Sequence, residues 1–96
     1  MTYELSFKES ALKEWKKLDP PIQDQFRKKL KERRDNPHVP GDRLREKGFE
    51  DCYKIKLRAS GFRLVYQVRD GELVIVVVAI GKRERGAVYS KAKDRL

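Results

Sequence analysis

Residues Asp51 to Tyr66, DCYKIKLRASGFRLVY, decide how the rest of the chain is read. Strand side chains alternate between faces, so Tyr53, Ile55 and Leu57 go to one side and Lys54, Lys56 and Arg58 to the other. Ala59-Ser60-Gly61 supplies a short turn, with Gly61 the residue expected at positive φ because it has no Cβ to clash. A second run, Phe62 to Arg69, returns with Arg63 and Gln67 on one face. The result is a hairpin with one apolar face and one cationic face. Like charges side by side on a sheet cost stability, so the set points to a polyanion that completes it.

Working outward toward the C-terminus, Asp70-Gly71 is a two-residue turn signal, because a type I′ turn needs positive φ at both central positions. Leu73 to Ile80, LVIVVVAI, is apolar on both faces, as expected of a central strand covered on one side by helices. Gly81 to Leu96 is basic, with Ala87, Val88, Ala92 and Leu96 at loosely helical spacing, and reads as a loop leading to a short C-terminal helix. Toward the N-terminus, Pro40-Gly41 opens a polar connection that lasts to about Asp51, anchored by Leu44 and Phe49. Asn36-Pro37 closes a helix that starts at Asp19-Pro20, where Asp suits the N-cap and Pro the first helical position. That helix buries Ile22, Phe26 and Leu30 and turns Arg27, Lys28, Lys29, Lys31, Arg33 and Arg34 to other faces, which read as solvated or as an auxiliary electrostatic footprint. An earlier helix carries Ala11, Leu12, Trp15 and Leu18 as its stripe, with Ser6 and Glu9 at capping-box spacing. Tyr3, Leu5 and Phe7 open the chain as a short strand. The order is βααβββ with a short C-terminal helix: one α+β domain over residues 1–96, a helical hairpin packed on a mostly antiparallel sheet.

The chain has 24 Lys and Arg against 15 Asp and Glu, a net +9. Thirteen basic and ten acidic residues lie up to Glu50, and eleven and five beyond it, so the excess belongs to the hairpin and tail. Nucleic acid, an anionic membrane or an acidic protein could each answer that charge. No apolar run approaches the roughly 20 residues of a membrane span, and Met1-Thr-Tyr-Glu does not resemble a secretion signal. A single cysteine, Cys52, cannot pair within the chain, which fits a reducing cytoplasm, and it reads as a structural thiol. The lone histidine, His38, reads as an exposed loop residue, and no Cys/His cluster has metal-ligand spacing. The likeness of the segment ending Gly81-Lys82 to a phosphate-binding loop fails, because Val76 stands where the first glycine is required and Arg83 where Ser or Thr would hold Mg²⁺. Glu84 among the tail cations reads as a salt-bridge partner of Arg83 or Arg85. Tyr89, in an otherwise polar tail, is either a core or rim residue or a platform on which a base stacks.

Leu44-Arg45, Cys52 to Arg58, Gly61 to Val68, Gly81-Lys-Arg-Glu-Arg85 with Val88-Tyr89, and Ala11 to Trp15 together resemble the RelE-type toxins of bacterial toxin–antitoxin pairs, within the RelE/ParE superfamily. The likeness covers nearly the whole chain; the segment Glu46 to Glu50 is about two residues longer than in the best-known member, in a loop where insertion is cheap. The resemblance implies a microbial-ribonuclease-like fold. It also implies a cytoplasmic endoribonuclease that cuts messenger RNA in the ribosomal A site without metal or other cofactor. Attack of the ribose 2′-OH would leave a 2′,3′-cyclic phosphate and a 5′-OH. The family's catalytic positions fall on Lys54, Lys56, Arg63, Arg83 and Tyr89, with Arg45 as an auxiliary cation; Arg58, Lys82 and Arg85 are further candidates for RNA phosphate. The implied partners are a RelB-type antitoxin, the 70S ribosome carrying A-site mRNA, and operator DNA reached only through the antitoxin complex, with no membrane. The alternatives are a non-enzymatic RNA- or ribosome-binding translation inhibitor and a gyrase-poisoning ParE-like toxin.

In-line transfer needs the 2′-OH deprotonated, the pentacovalent phosphate stabilised and the leaving 5′-oxygen neutralised. With no histidine pair, a lysine crowded by other cations, which disfavour its protonated form, is the available base. Lys54 takes that role, with Lys56 and Arg63 on phosphate. Arg83, an arginine that stays protonated, is cast by the resemblance as the acid. Its fork suits electrostatic stabilisation, and Tyr89 would orient the nucleotide.

Overall fold

The computed structural model describes residues 2–82, 84 and 86–96. The elements run β1 (Glu4–Phe7), α1 (Glu9–Lys16), α2 (Pro20–Asp35), a short 3₁₀ turn (Pro40–Asp42), β2 (Cys52–Lys56), β3 (Phe62–Arg69), β4 (Val74–Lys82) and α3 (Ala87–Arg95). The sheet order is β1-β4-β3-β2, with β1 parallel to β4 and the other pairs antiparallel. This is the expected α+β order, including the C-terminal helix.

The apolar run of β4 is covered on both faces, where helices on one side only were expected. Ala11 of α1 and Phe26 and Leu30 of α2 pack with Ile75, Val77 and Ile80 on one face. Val88 and Ala92 of α3 pack with Val65, Val78, Ala79, Cys52 and Phe49 on the other. A bulge makes this possible: Val65 faces Ala79 and Tyr66 faces Val77, so Val78 is the extra residue. An inserted residue breaks strict alternation and bends the strand. Val78 and Ala79 both serve the α3 side, and Ile80 returns to the α1–α2 side.

Local chemistry explains where the elements begin. Asp19 is the N-cap of α2 with Pro20 inside its first turn, although the capping side chain makes no hydrogen bond. Helix α1 starts from Lys8, not Ser6, which is committed to the strand opposite Val76; the capping box does not form. Leu12 is 37% exposed, so the inward stripe of α1 runs through Ala11 and Trp15. Gly61 has φ +78 as its turn requires. Asp70-Gly71 does not make a two-residue turn. Arg69 pairs with Val74, leaving a four-residue loop whose left-handed residue is Leu73 at φ 54.

Arg33 also departs from expectation. Three residues after the buried Leu30, it lies on the inward side of α2, with a side chain 11% exposed. It donates to the Tyr66 hydroxyl (2.9 Å), Asp42 (2.6 Å) and the Lys54 carbonyl (3.3 Å). Tyr66, fully buried, donates its hydroxyl to the Pro37 carbonyl at 2.8 Å. His38 is strapped beside them, one ring nitrogen 2.8 Å from the Tyr53 hydroxyl and the other 2.9 Å from Asp70. Hydrogen bonds from Tyr3 and then His38 hold the Asp70 carboxyl below the usual carboxylate range. This network ties the α2–β2 connection to the floor of the sheet under Lys54. Tyr66→Phe removes the bond to Pro37 and leaves its carbonyl and Arg33 short of a partner, which costs about 1–3 kcal/mol. Urea melts check it; a midpoint equal to the parent's would show that the network contributes nothing.

Candidate active site

The cationic face of the hairpin emerges gradually from beneath the 43–50 connection. Cys52 is fully buried under Phe49, Lys54 is half-buried, and Lys56 is exposed. Burial, with the Asp51 carboxylate nearby, pushes the Cys52 thiol up to about 12, so it is inert near neutrality, as a structural thiol should be. Lys54 sits opposite Val65, and Lys56 opposite Arg63, which in turn pairs with Gly81. Three strands therefore set these cations on one rigid platform.

Helix α3 completes the site. Val88 and Ala92 anchor it on the sheet, and Tyr89, on the adjacent side, reaches the platform. Arg63 donates to the Tyr89 hydroxyl at 3.1 Å, with its guanidinium 5.7 Å from the ring centroid. Lys54, Arg63, Tyr89 and Arg45 line one cavity of about 670 Å³. Lys56 and Arg58 share a neighbouring depression with Arg63. Lys82, whose ammonium lies 5.6 Å from the Phe62 ring centroid, borders a narrow crevice with Arg63, Glu84 and Tyr89. Arg83 and Arg85, and with them the expected salt bridge of Glu84, lie outside the described residues. Among the described residues, no group of three or more His, Cys, Asp or Glu could hold a metal ion.

Sequence reasoning missed the device that holds α3 in place. Strand β1 pairs with β4 only as far as Phe7–Val77, so beyond that point β4 has an open edge. Side chains take the place of the missing strand. Glu14 of α1 accepts from the Ile80 N–H (3.1 Å), Arg95 donates to the Val78 carbonyl (2.9 Å), and Lys91 to the Ile80 carbonyl (3.2 Å). Lys91 and Arg95 both also bind the Glu14 carboxylate. Burial raises the Glu14 carboxyl, but hydrogen bonds from Arg95, Lys91 and Ile80 outweigh it and hold the group below the usual carboxylate range. The signal was present: Glu14 lies three residues after the buried Ala11, a spacing that turns a carboxylate inward.

A row of cations beside one tyrosine, on a sheet backed by a helical hairpin, has the charge pattern to which a polyanionic strand is the natural complement. The ParE toxin model of type II toxin–antitoxin systems matches residues 5–86. A putative RelE-like toxin protein of Escherichia coli is 64% identical over 96 residues, covering all of this chain and 99% of that one. The mRNA interferase toxin RelE of E. coli K12 is 52% identical with the same coverage. A mutant of the E. coli toxin RelE in the free state superposes with a TM-score of 0.90 at 50% identity, covering 100% of this chain and 99% of that one. The toxin of the intact E. coli RelBE toxin–antitoxin complex does so at 0.81 and 52%, covering 86% and 99%. The chain belongs to the RelE/ParE toxin family, and its similarity places it with the RelE-type members.

Proposed function

We infer that this chain is an mRNA interferase, an endoribonuclease toxin that stops translation by cutting messenger RNA in the ribosomal A site. The observation that carries the reading is the convergence of Lys54, Arg45, Arg63 and Tyr89 on one cavity, in a chain 52% identical to an mRNA interferase. Lys54 accepts the 2′-OH proton; the oxygen attacks the adjacent phosphorus; the 5′-oxygen leaves and takes up a proton. Arg63, with Lys56 beside it, holds the phosphoryl oxygens and steadies the extra charge of the pentacovalent state. Tyr89, hydrogen-bonded to Arg63, orients the nucleotide by stacking. Arg83 is assigned by resemblance to the leaving oxygen, while Arg58, Lys82 and Arg85 are proposed for flanking phosphates from their place among the basic residues. The reaction leaves a 2′,3′-cyclic phosphate and a 5′-OH and draws on no metal.

A platform of cations without a histidine pair depends on geometry imposed on the substrate, since holding the 2′-OH in line is worth several kcal/mol. A ribosome that presents a stretched codon supplies it. Among the described residues no helix is long and apolar enough to cross a membrane, and a cytoplasmic site of action follows from the ribosomal substrate. The E. coli RelE relative is held by its antitoxin RelB; we assign this chain a RelB-type partner, and to the pair the repression of their own promoter with the antitoxin reading the DNA.

Primer extension on translating ribosomes tests the function. Wild-type protein produces breaks within A-site codons, and Arg83→Ala and Tyr89→Ala remove them while circular dichroism stays unchanged. Arrest with intact transcripts would replace the enzyme by an occupancy inhibitor. DNA-damage signalling without transcript breaks would indicate a gyrase poison.

A further inference from the structure

We propose that Lys93 and Arg43 form a second phosphate subsite, for the RNA linkage next to the one that is cut; the inference rests on the ribonuclease reading. Both residues line the cavity that holds Lys54, Arg63 and Tyr89. Lys93 lies one helical turn beyond Tyr89, about 6 Å along α3, and i, i+4 spacing puts the two on one side of the helix. A strand whose nucleotide rests on Tyr89 thus carries its next charge toward Lys93.

The three cations of α3 divide into two uses. Lys91 and Arg95 are committed to Glu14 and to the edge of β4. Lys93 makes no ion pair with any described carboxylate, nor does Arg43; Glu46 is the one carboxylate lining their cavity. Lys93 and Arg43 thus join Arg45, Lys54 and Arg63 as cleft cations without an ion pair among the described residues, an excess of positive charge that an anion from outside would balance.

Both are also held in place. Gly48, at φ +98, offers bare backbone to the Lys93 stem: a Cβ there would come within 3.3 Å of its Cε and 3.7 Å of its Cγ. The Lys93 stem therefore lies against the bare backbone of Gly48. Arg43 is fixed by a backbone bridge to Tyr53, the residue before Lys54. The cavity volume, about 670 Å³, falls within the 300–1,000 Å³ usual for ligand sites and accommodates more than a single linkage.

The experiment uses two fluorescent RNA oligomers with 2′-deoxyribose at the cut position: a tetranucleotide, and a dinucleotide carrying only the scissile phosphate. Lys93→Met keeps the apolar stem on Gly48 and removes the charge; Arg43→Gln does the same for the second cation. Each variant should bind the tetranucleotide about three- to tenfold more weakly at low salt. Each should also shrink the slope of log affinity against log salt by about 0.7, one phosphate's share on a single strand, with dinucleotide affinity and melting temperature unchanged. Tetranucleotide binding equal to wild type, or equal losses on both oligomers, overturns the subsite. If the variants give this pattern while wild-type protein leaves A-site codons intact, the subsite stands and the ribonuclease is refuted.

Discussion

Lys54→Ala lowers the single-turnover rate of codon cleavage on programmed ribosomes by about 10²–10⁴-fold, the contribution of a positioned general base. The fold should scarcely notice. Lys54 reaches into the cavity with its side chain half-buried, while its place in the sheet is secured by backbone: the pairing with Val65 and the bond from Arg33 to its carbonyl. Truncation removes the ammonium and leaves both. Lys54→Arg separates the two ways the residue could act, since arginine keeps the charge and cannot serve as a base near neutrality. A base predicts that Arg is as poor as Ala; recovery by Arg assigns Lys54 to charge stabilisation. A loss of under threefold in Lys54→Ala would remove the residue from the chemistry.

Glu14→Ala should be the most damaging single substitution away from the apolar core. It strands the Ile80 N–H at the edge of β4 and deprives Lys91 and Arg95 of their shared carboxylate. An unpaired backbone donor and two uncompensated, partly buried cations cost on the order of 2–4 kcal/mol, or a drop of about 10 °C or more in Tm for a domain of this size. The same carboxylate shapes the acid limb of stability. Its folded-state pKa lies below the unfolded value, so its stabilisation is complete above the ordinary carboxylate range and is lost as pH falls through the folded pKa. Urea melts between neutral and acid pH should show a shallower acid decline in Glu14→Gln than in wild type. Parallel declines would mean that another carboxylate controls that limb.

The architecture was readable because its signals are local. The alternation of Tyr53, Ile55 and Leu57, the Asp19-Pro20 start and the apolar run of β4 each report a period or a cap within a few residues. The site was readable in its strand members for the same reason: alternation alone puts Lys54 and Lys56 on one face. That Tyr89 lands against Arg63 depends on where α3 docks, and spacing alone left it undecided between rim and platform. Resemblance assigned it to the site. Glu14 was given no role and Arg33 was read as a solvated charge, although each lies three residues from a buried side chain on its helix. Their partners, backbone atoms of β4 and the hydroxyl of Tyr66, sit more than 30 residues away. The Asp70-Gly71 signal failed because turn residues prescribe a loop only where the flanking register allows it, and here Arg69 already pairs with Val74.

Cys52 has a use outside the chemistry. As the sole thiol, sealed beneath Phe49 and firmly protonated, it can be alkylated only when the 43–50 cover lifts or β2 peels away. The rate at which a maleimide consumes it is thus a clock for breathing at the base of the cleft, supplied by the native chain without an engineered label.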